Sequence, residues 1–215
     1  MRILFCKISS MKYYKGHCKS DVPMFGGAFV NENGYGHEEF NFIPIQSEEV
    51  DYLECIGFVE PKSNRGIRNT LHIEKIEGCE MMKKEPFVED VLVIWCATRD
   101  LGIKTDITVV GWYEHATVFR DLVEWTMIKS NGDEEIRGYN VIAKADDCVL
   151  LPESFRNQFK WHVPTAKYTK SFGFGQAMVW YPNEPQAKMF LDRLIESIHN
   201  YQGENWLDKY PDEFK

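Results

Sequence analysis

Apolar and polar positions follow a β-strand pattern along most of this chain, and a helical one only near its C-terminus. At the centre, residues 91–97 (VLVIWCA) form a continuous apolar run of β-branched and aromatic residues, which predicts a strand buried on both faces. A turn at 101–106 leads into a second run from 107, which passes through Gly111 into Trp112 and Tyr113. Together the two runs predict a central hairpin. Strands are also predicted at 2–8 (RILFCKI), at 52–60 with Gly57 as a bulge candidate, and at 71–76 (LHIEKI), where apolar and polar residues alternate. By pattern, 120–129 fits a helix or a strand. Asn131 and Gly132 between two apolar runs favour a type I′ hairpin that returns along 136–143.

Only 186–201 reads clearly as a helix, with Ala187, Phe190, Leu191, Leu194, Ile195, Ile198 and Tyr201 at helical spacing. Asn183 is the expected N-cap and Gly203 lies just past the end. The fold class expected is α+β: one domain over 1–203, an open β-barrel or curved mixed sheet with a C-terminal amphipathic helix packed on it. A loosely held polar tail is expected at 204–215.

Composition narrows the functional classes. At 215 residues the chain can bury a substantial core, and 44% hydrophobic with 27% charged residues suits a soluble globular protein. No run approaches the ~20 apolar residues that span a bilayer, so no membrane partner is expected. The net charge of −8 argues against non-specific coating of nucleic acid but permits a local basic groove. Lysines cluster at Lys12, Lys15 and Lys19, and again at Lys160, Lys167 and Lys170. The six cysteines lack CxxC and zinc-type Cys/His spacing, so neither a metal nor a cofactor is expected, and reduced thiols in the cytoplasm are.

Candidate chemistry gathers where aromatics sit beside glycine. The stretch 23–42 (PMFGGAFVNENGYGHEEFNF) places Asn33, Tyr35, His37 and Glu38 among glycines that allow a close approach of backbone to a ligand. Residues 11–16 interleave two tyrosines with two lysines, which suits phosphate contact plus base stacking. Trp112, Tyr113, Phe172, Phe174 and Trp180 add further π-faces, enough for a cage around a flat base or a methylated group. No P-loop, nucleophile-elbow, zincin or EF-hand pattern occurs. Two other readings stay open. One is a small enzyme acting on a nucleotide or nucleic acid, with His37 and Glu38 as acid/base pair. The other is an interaction or immunity protein whose aromatics are core and whose acidic face binds a partner.

The order RILFCKI, then VLVIWCA, a turn and VVGWYEHA resembles the core of the PUA-like barrels, specifically the YTH and EVE branch. The pieces GYGHEEFNF, GWYEHATVFR and FGFGQAMVWY are similar to reader segments near restriction systems, some joined to nuclease domains. The resemblance covers about a third of the chain. It implies an open barrel whose aromatic pocket accepts a modified base, for instance a methylated one, flipped from DNA or RNA. Such a module binds without chemistry of its own, and a nuclease domain or subunit does the cutting. On this match Trp112 and Tyr113 form the base pocket, Tyr35 closes it, and Asn33 reads the base edge. Lys12, Lys15 and Arg120 lie near phosphates.

Overall fold

The computed structural model describes residues 1–25, 36–47, 50–61, 70–100, 102, 105–128, 132 and 134–214. The central hairpin is present and longer than the apolar runs alone suggest. Strand β4 (Phe87–Asp100) pairs antiparallel with β5 (Thr105–Ile128), a strand of 24 residues. Strand β6 (Glu134–Lys144) returns antiparallel along the second half of β5, so 120–128 is strand and not helix. Bulges interrupt both ladders, between Trp95 and Cys96 on β4 and between Val118 and Val123 on β5. Such irregularities bend and twist a long strand.

Around this hairpin lie β1 (Arg2–Ile8), β2 (Pro44–Gln46), β3 (Leu53–Gly57), β7 (Cys148–Leu150), β8 (His162–Val163) and β9 (Val179–Trp180). They make one nine-stranded mixed sheet in the order β2-β3-β6-β5-β4-β1-β9, with β7 and β8 paired to the first half of β5. The strand path ends at β2 and at β9, so the sheet is not closed into a barrel. β1 runs parallel to β4 over all seven of its residues, which ties the N-terminal segment into the centre.

Both faces of the sheet are covered, which is why β4 carries an unbroken apolar run. One face packs Leu4, Cys6, Val93, Trp95 and Tyr113 into a buried cluster. The other packs Phe5, Ile94, Trp112, Trp161 and Trp180 under the C-terminal helix α2 (Lys188–His199), through Phe190, Leu194 and Ile198.

Four expectations are corrected. Residues 71–76 do not form a strand: Ile73–Lys75 is a 3-10 turn, with Leu71, Ile73 and Ile76 buried. Leu71 and Ile73, two apart, read as one face of a strand, whereas Ile73 and Ile76, three apart, share one side of the 3-10 turn. Helix α2 spans Lys188–His199 after a 3-10 turn at Pro185–Ala187, and its cap is Ala187. Asn183 instead donates its side-chain N–H to the carbonyl of Lys75 at 2.7 Å. Gly57 sits in β3 without a register shift; its role is a close approach to Trp95. The polar tail is docked. Asn205 accepts from the Leu150 N–H and donates to the Cys148 carbonyl, Leu207 is buried, and Trp206 stacks on Tyr13 at 5.4 Å. Among the described residues, no helix is long and apolar enough to cross a membrane.

Candidate functional site

The expected aromatic pocket does not form from Trp112 and Tyr113. Successive side chains of a strand point to opposite faces, and β5 is regular here, with Trp112 opposite Ile94 and Tyr113 opposite Val93. Trp112 enters the helix-covered core, stacked 5.5 Å from Trp161 and edge-on to Tyr201, and is 2% exposed. Tyr113 enters the other core, 0% exposed, and its hydroxyl donates to the Ile56 carbonyl at 3.2 Å. Gly111 beside them allows a close packing: a Cβ there would lie 2.2 Å from the Val149 carbonyl oxygen and 2.7 Å from the Phe42 ring.

Two of the three expected phosphate contacts are structural. The Lys15 ammonium is buried, donates to the carbonyls of Phe42 and Leu207, and lies 5.1 Å from the Tyr210 ring centre. Burial lowers its pKa to about 8. All three guanidinium nitrogens of Arg120 are engaged, by Glu74 at 2.8 Å and by the carbonyls of Met82 and Glu85. Lys12 alone keeps its ammonium partly in solvent, over the Tyr13 and Trp206 rings. Asn33 and Tyr35 lie outside the described residues. His37 and Glu38 do not share a cleft. His37 accepts the Gly138 N–H beside Phe58, in a crevice too narrow for a water molecule. Glu38 is buried, and that burial raises its pKa.

An open aromatic groove of about 520 Å³ lies elsewhere, above the helix-covered core. Its walls come from the start of β5, from 159–172 and from the first turns of α2. Phe159, Tyr168 and Met189 stand 77%, 66% and 76% exposed along it. Local chemistry dictates this shape. β8 clips 162–163 to Ile107 and Thr108 of β5, which buries Val163 and leaves His162 on the groove. Gly173 then folds back on Pro164 with φ +101°, where a Cβ would lie 2.3 Å from the Pro164 carbonyl oxygen. Only glycine fits there. The Phe174 N–H donates to that same oxygen at 3.0 Å, so Phe174 is buried while its neighbour Phe172 lines the groove. Between them, the helical turn α1 (Ala166–Thr169) presents Tyr168.

The electrostatics of the groove are local. Between 159 and 193 the chain carries Lys160, Lys167, Lys170, Lys188 and Arg193 against Glu184 and Asp192, a charge of +3 within a chain of −8. Lys167 extends its ammonium over the Tyr168 ring at 5.6 Å, and Lys160 lies over Trp161 at 4.9 Å. At one end, Arg99 holds Asp106 with two hydrogen bonds, 2.5 and 2.7 Å, and His162 Nε2 lies 3.2 Å from the same carboxylate.

Of the residues the sequence singles out, the groove takes Phe172; Trp112 stacks on Trp161 in the core and does not line it. Sequence reasoning misses Phe159, Tyr168, Met189 and Arg193. The signal present was the lysine cluster at 160, 167 and 170 with aromatics between its members. No protein-family model, curated protein or solved structure was found to match the chain.

Proposed function

We propose that this chain is a nucleic-acid-binding module that stacks a nucleobase in the groove between Phe159, Tyr168 and Phe172. The observation that carries the reading is two solvent-facing aromatic rings on a 520 Å³ hollow, inside a locally cationic stretch of an acidic chain. Aromatic faces bind any base by stacking, and lysines bind the backbone beside it. Met189 and Phe190 give an apolar surface for a methyl group, and His162 a polar ring beside it. This suits a modified, flipped base in DNA or RNA. The PUA-like relationship and a role beside a nuclease in host defence belong to the same proposal, with the pocket moved from Trp112 and Tyr113 to the groove.

The test is a fluorescence-anisotropy titration with methylated and unmodified oligonucleotides. Tighter binding of the methylated strand, lost on Tyr168→Ala, supports the reading. Equal affinity for both refutes discrimination, and absence of binding to either refutes the function.

Two observations favour a second reading, an interaction protein. Trp112 and Trp180 are both core, and an acidic patch surrounds His115. Its imidazole pairs with Asp90 at 2.8 Å, and that hydrogen bond, with Asp147 and Glu114 nearby, raises its pKa. A basic protein partner whose binding is lost on Asp90→Lys, with no oligonucleotide affinity, would select this reading.

A further inference from the structure

Behind the Arg99–Asp106 pair lies a second, larger hollow of about 620 Å³, bordered by Lys12, Lys19, Met24 and Phe25. The same two segments wall both hollows. The end of the β4–β5 hairpin gives Arg99 and Asp100 to this one, and Thr105 and Asp106 to the aromatic groove. The following stretch gives Arg156 and Asn157 to this one, and Phe159 and His162 to the groove.

We infer that this hollow is a second subsite, which takes the phosphate and base next to the one stacked in the groove. The preferred ligand is then a single-stranded oligonucleotide that crosses the Arg99–Asp106 partition, not a free base or mononucleotide. The inference rests on the nucleobase reading above.

The partition spends its charge internally. Besides its two bonds to Asp106, Arg99 donates to Asn157 Oδ1 at 3.0 Å and to the Arg156 carbonyl at 3.3 Å. Arg156 is itself buried and donates to the carbonyls of Leu151, Met11 and Lys12. The acidic groups of the hollow are similarly occupied. Asp21 accepts the N–H groups of Lys12 and Tyr13, and Asp100 accepts that of Gly102. The charges left for a ligand are the ammonium groups of Lys12 and Lys19. The Lys12 partner, Glu153, is 4.0 Å away and 63% exposed, an ion pair that a phosphate displaces at small cost.

The apolar side matches. Met24 is held by two backbone hydrogen bonds to Ser10, and Phe25 follows in a left-handed conformation, φ +57°, with its ring half exposed. A bulky residue held in that region is strained, and such strain collects at ligand clamps. A phenyl face beside two lysines repeats the chemistry of the first groove.

The test measures single-stranded DNA and RNA of one, two, four and six nucleotides by competition against a labelled oligonucleotide. Affinity is expected to rise at least about tenfold from one nucleotide to two or more. The double variant Lys12→Gln/Lys19→Gln removes that gain and leaves mononucleotide affinity unchanged. Tyr168→Ala weakens every length. If Lys12→Gln fails to fold, the exposed Lys19→Glu alone is expected to cut the gain. A Tyr168-dependent affinity that is equal at all lengths, or a gain that survives the lysine changes, overturns the second subsite and spares the base reading. Absence of binding at every length removes the base reading, and the second subsite with it.

Discussion

Gly57 lies so close to Trp95 that a Cβ on it would come within 2.4 Å of Cζ2 of the indole and 3.2 Å of the Tyr113 ring. Both rings are fully buried and pack edge to face at 5.4 Å, so neither can move aside without opening the core. Gly57→Ala is therefore expected to destabilise by about 1–3 kcal/mol through overpacking. For a chain of this size each kcal/mol lowers Tm by about 2–4 °C, which calorimetry reads directly. An unchanged Tm would mean that the two strands part more easily than their packing implies.

Trp112 and Phe159 separate core from site. Trp112→Ala empties space beside Trp161 and Tyr201 and is expected to cost about 3–5 kcal/mol of stability. Phe159→Ala truncates an exposed ring and is expected to change stability by no more than about 0.5 kcal/mol. In binding the order reverses: Phe159→Ala is expected to weaken oligonucleotide affinity by about 1–3 kcal/mol. Urea unfolding and anisotropy on the same two variants test this crossover, and an unaltered affinity in Phe159→Ala counts against the groove.

The Glu74–Arg120 pair sets a window of acid sensitivity. Partial burial works to raise the Glu74 pKa, but hydrogen bonds from Arg120, from its own backbone and from His72 outweigh it and hold the carboxyl at about 2. A carboxyl lowered on folding contributes stability that is full above its unfolded value near 4.5 and is lost as pH falls towards 2. Glu74→Gln is expected to remove that part of the pH dependence. Urea midpoints between pH 2 and 6 for both proteins would show it as a shallower slope in the variant.

Lys15 acts at the alkaline end with the same sign. Burial drops its pKa from 10.5 to about 8, so between those values the unfolded chain binds the proton that the folded chain has released. Stability from this group therefore rises with pH from about 8 towards 10.5. Lys15→Met, which keeps the buried volume without the charge, is expected to flatten that rise. Measurements are best confined to pH 7.5–9.5, below the range where tyrosines titrate. A slope equal in both proteins would place its origin elsewhere.

The sequence by itself determined the central strands and the C-terminal helix. The runs at 2–8, 91–97 and 107–113, the Asn-Gly signal before 136–143 and the helical stripe from Ala187 to Tyr201 each encode burial through a local period, and local periods are legible in one dimension. They decide that Phe190, Leu194 and Ile198 face the sheet and that residues 91–97 are covered on both sides. What only the tertiary structure decided was which of many aromatics stayed outside. Trp112, in the strongest motif, is walled in by Trp161, and Tyr201 from beyond the end of the helix, while Phe159 and Tyr168, in a segment with no regular pattern, are left in solvent. The same holds for the charges, where Lys15 and Arg120 are taken up by carbonyls and a carboxylate supplied from distant parts of the chain. Accessibility and pairing depend on what packs against a residue, and those neighbours are fixed by folding, not by their place along the chain.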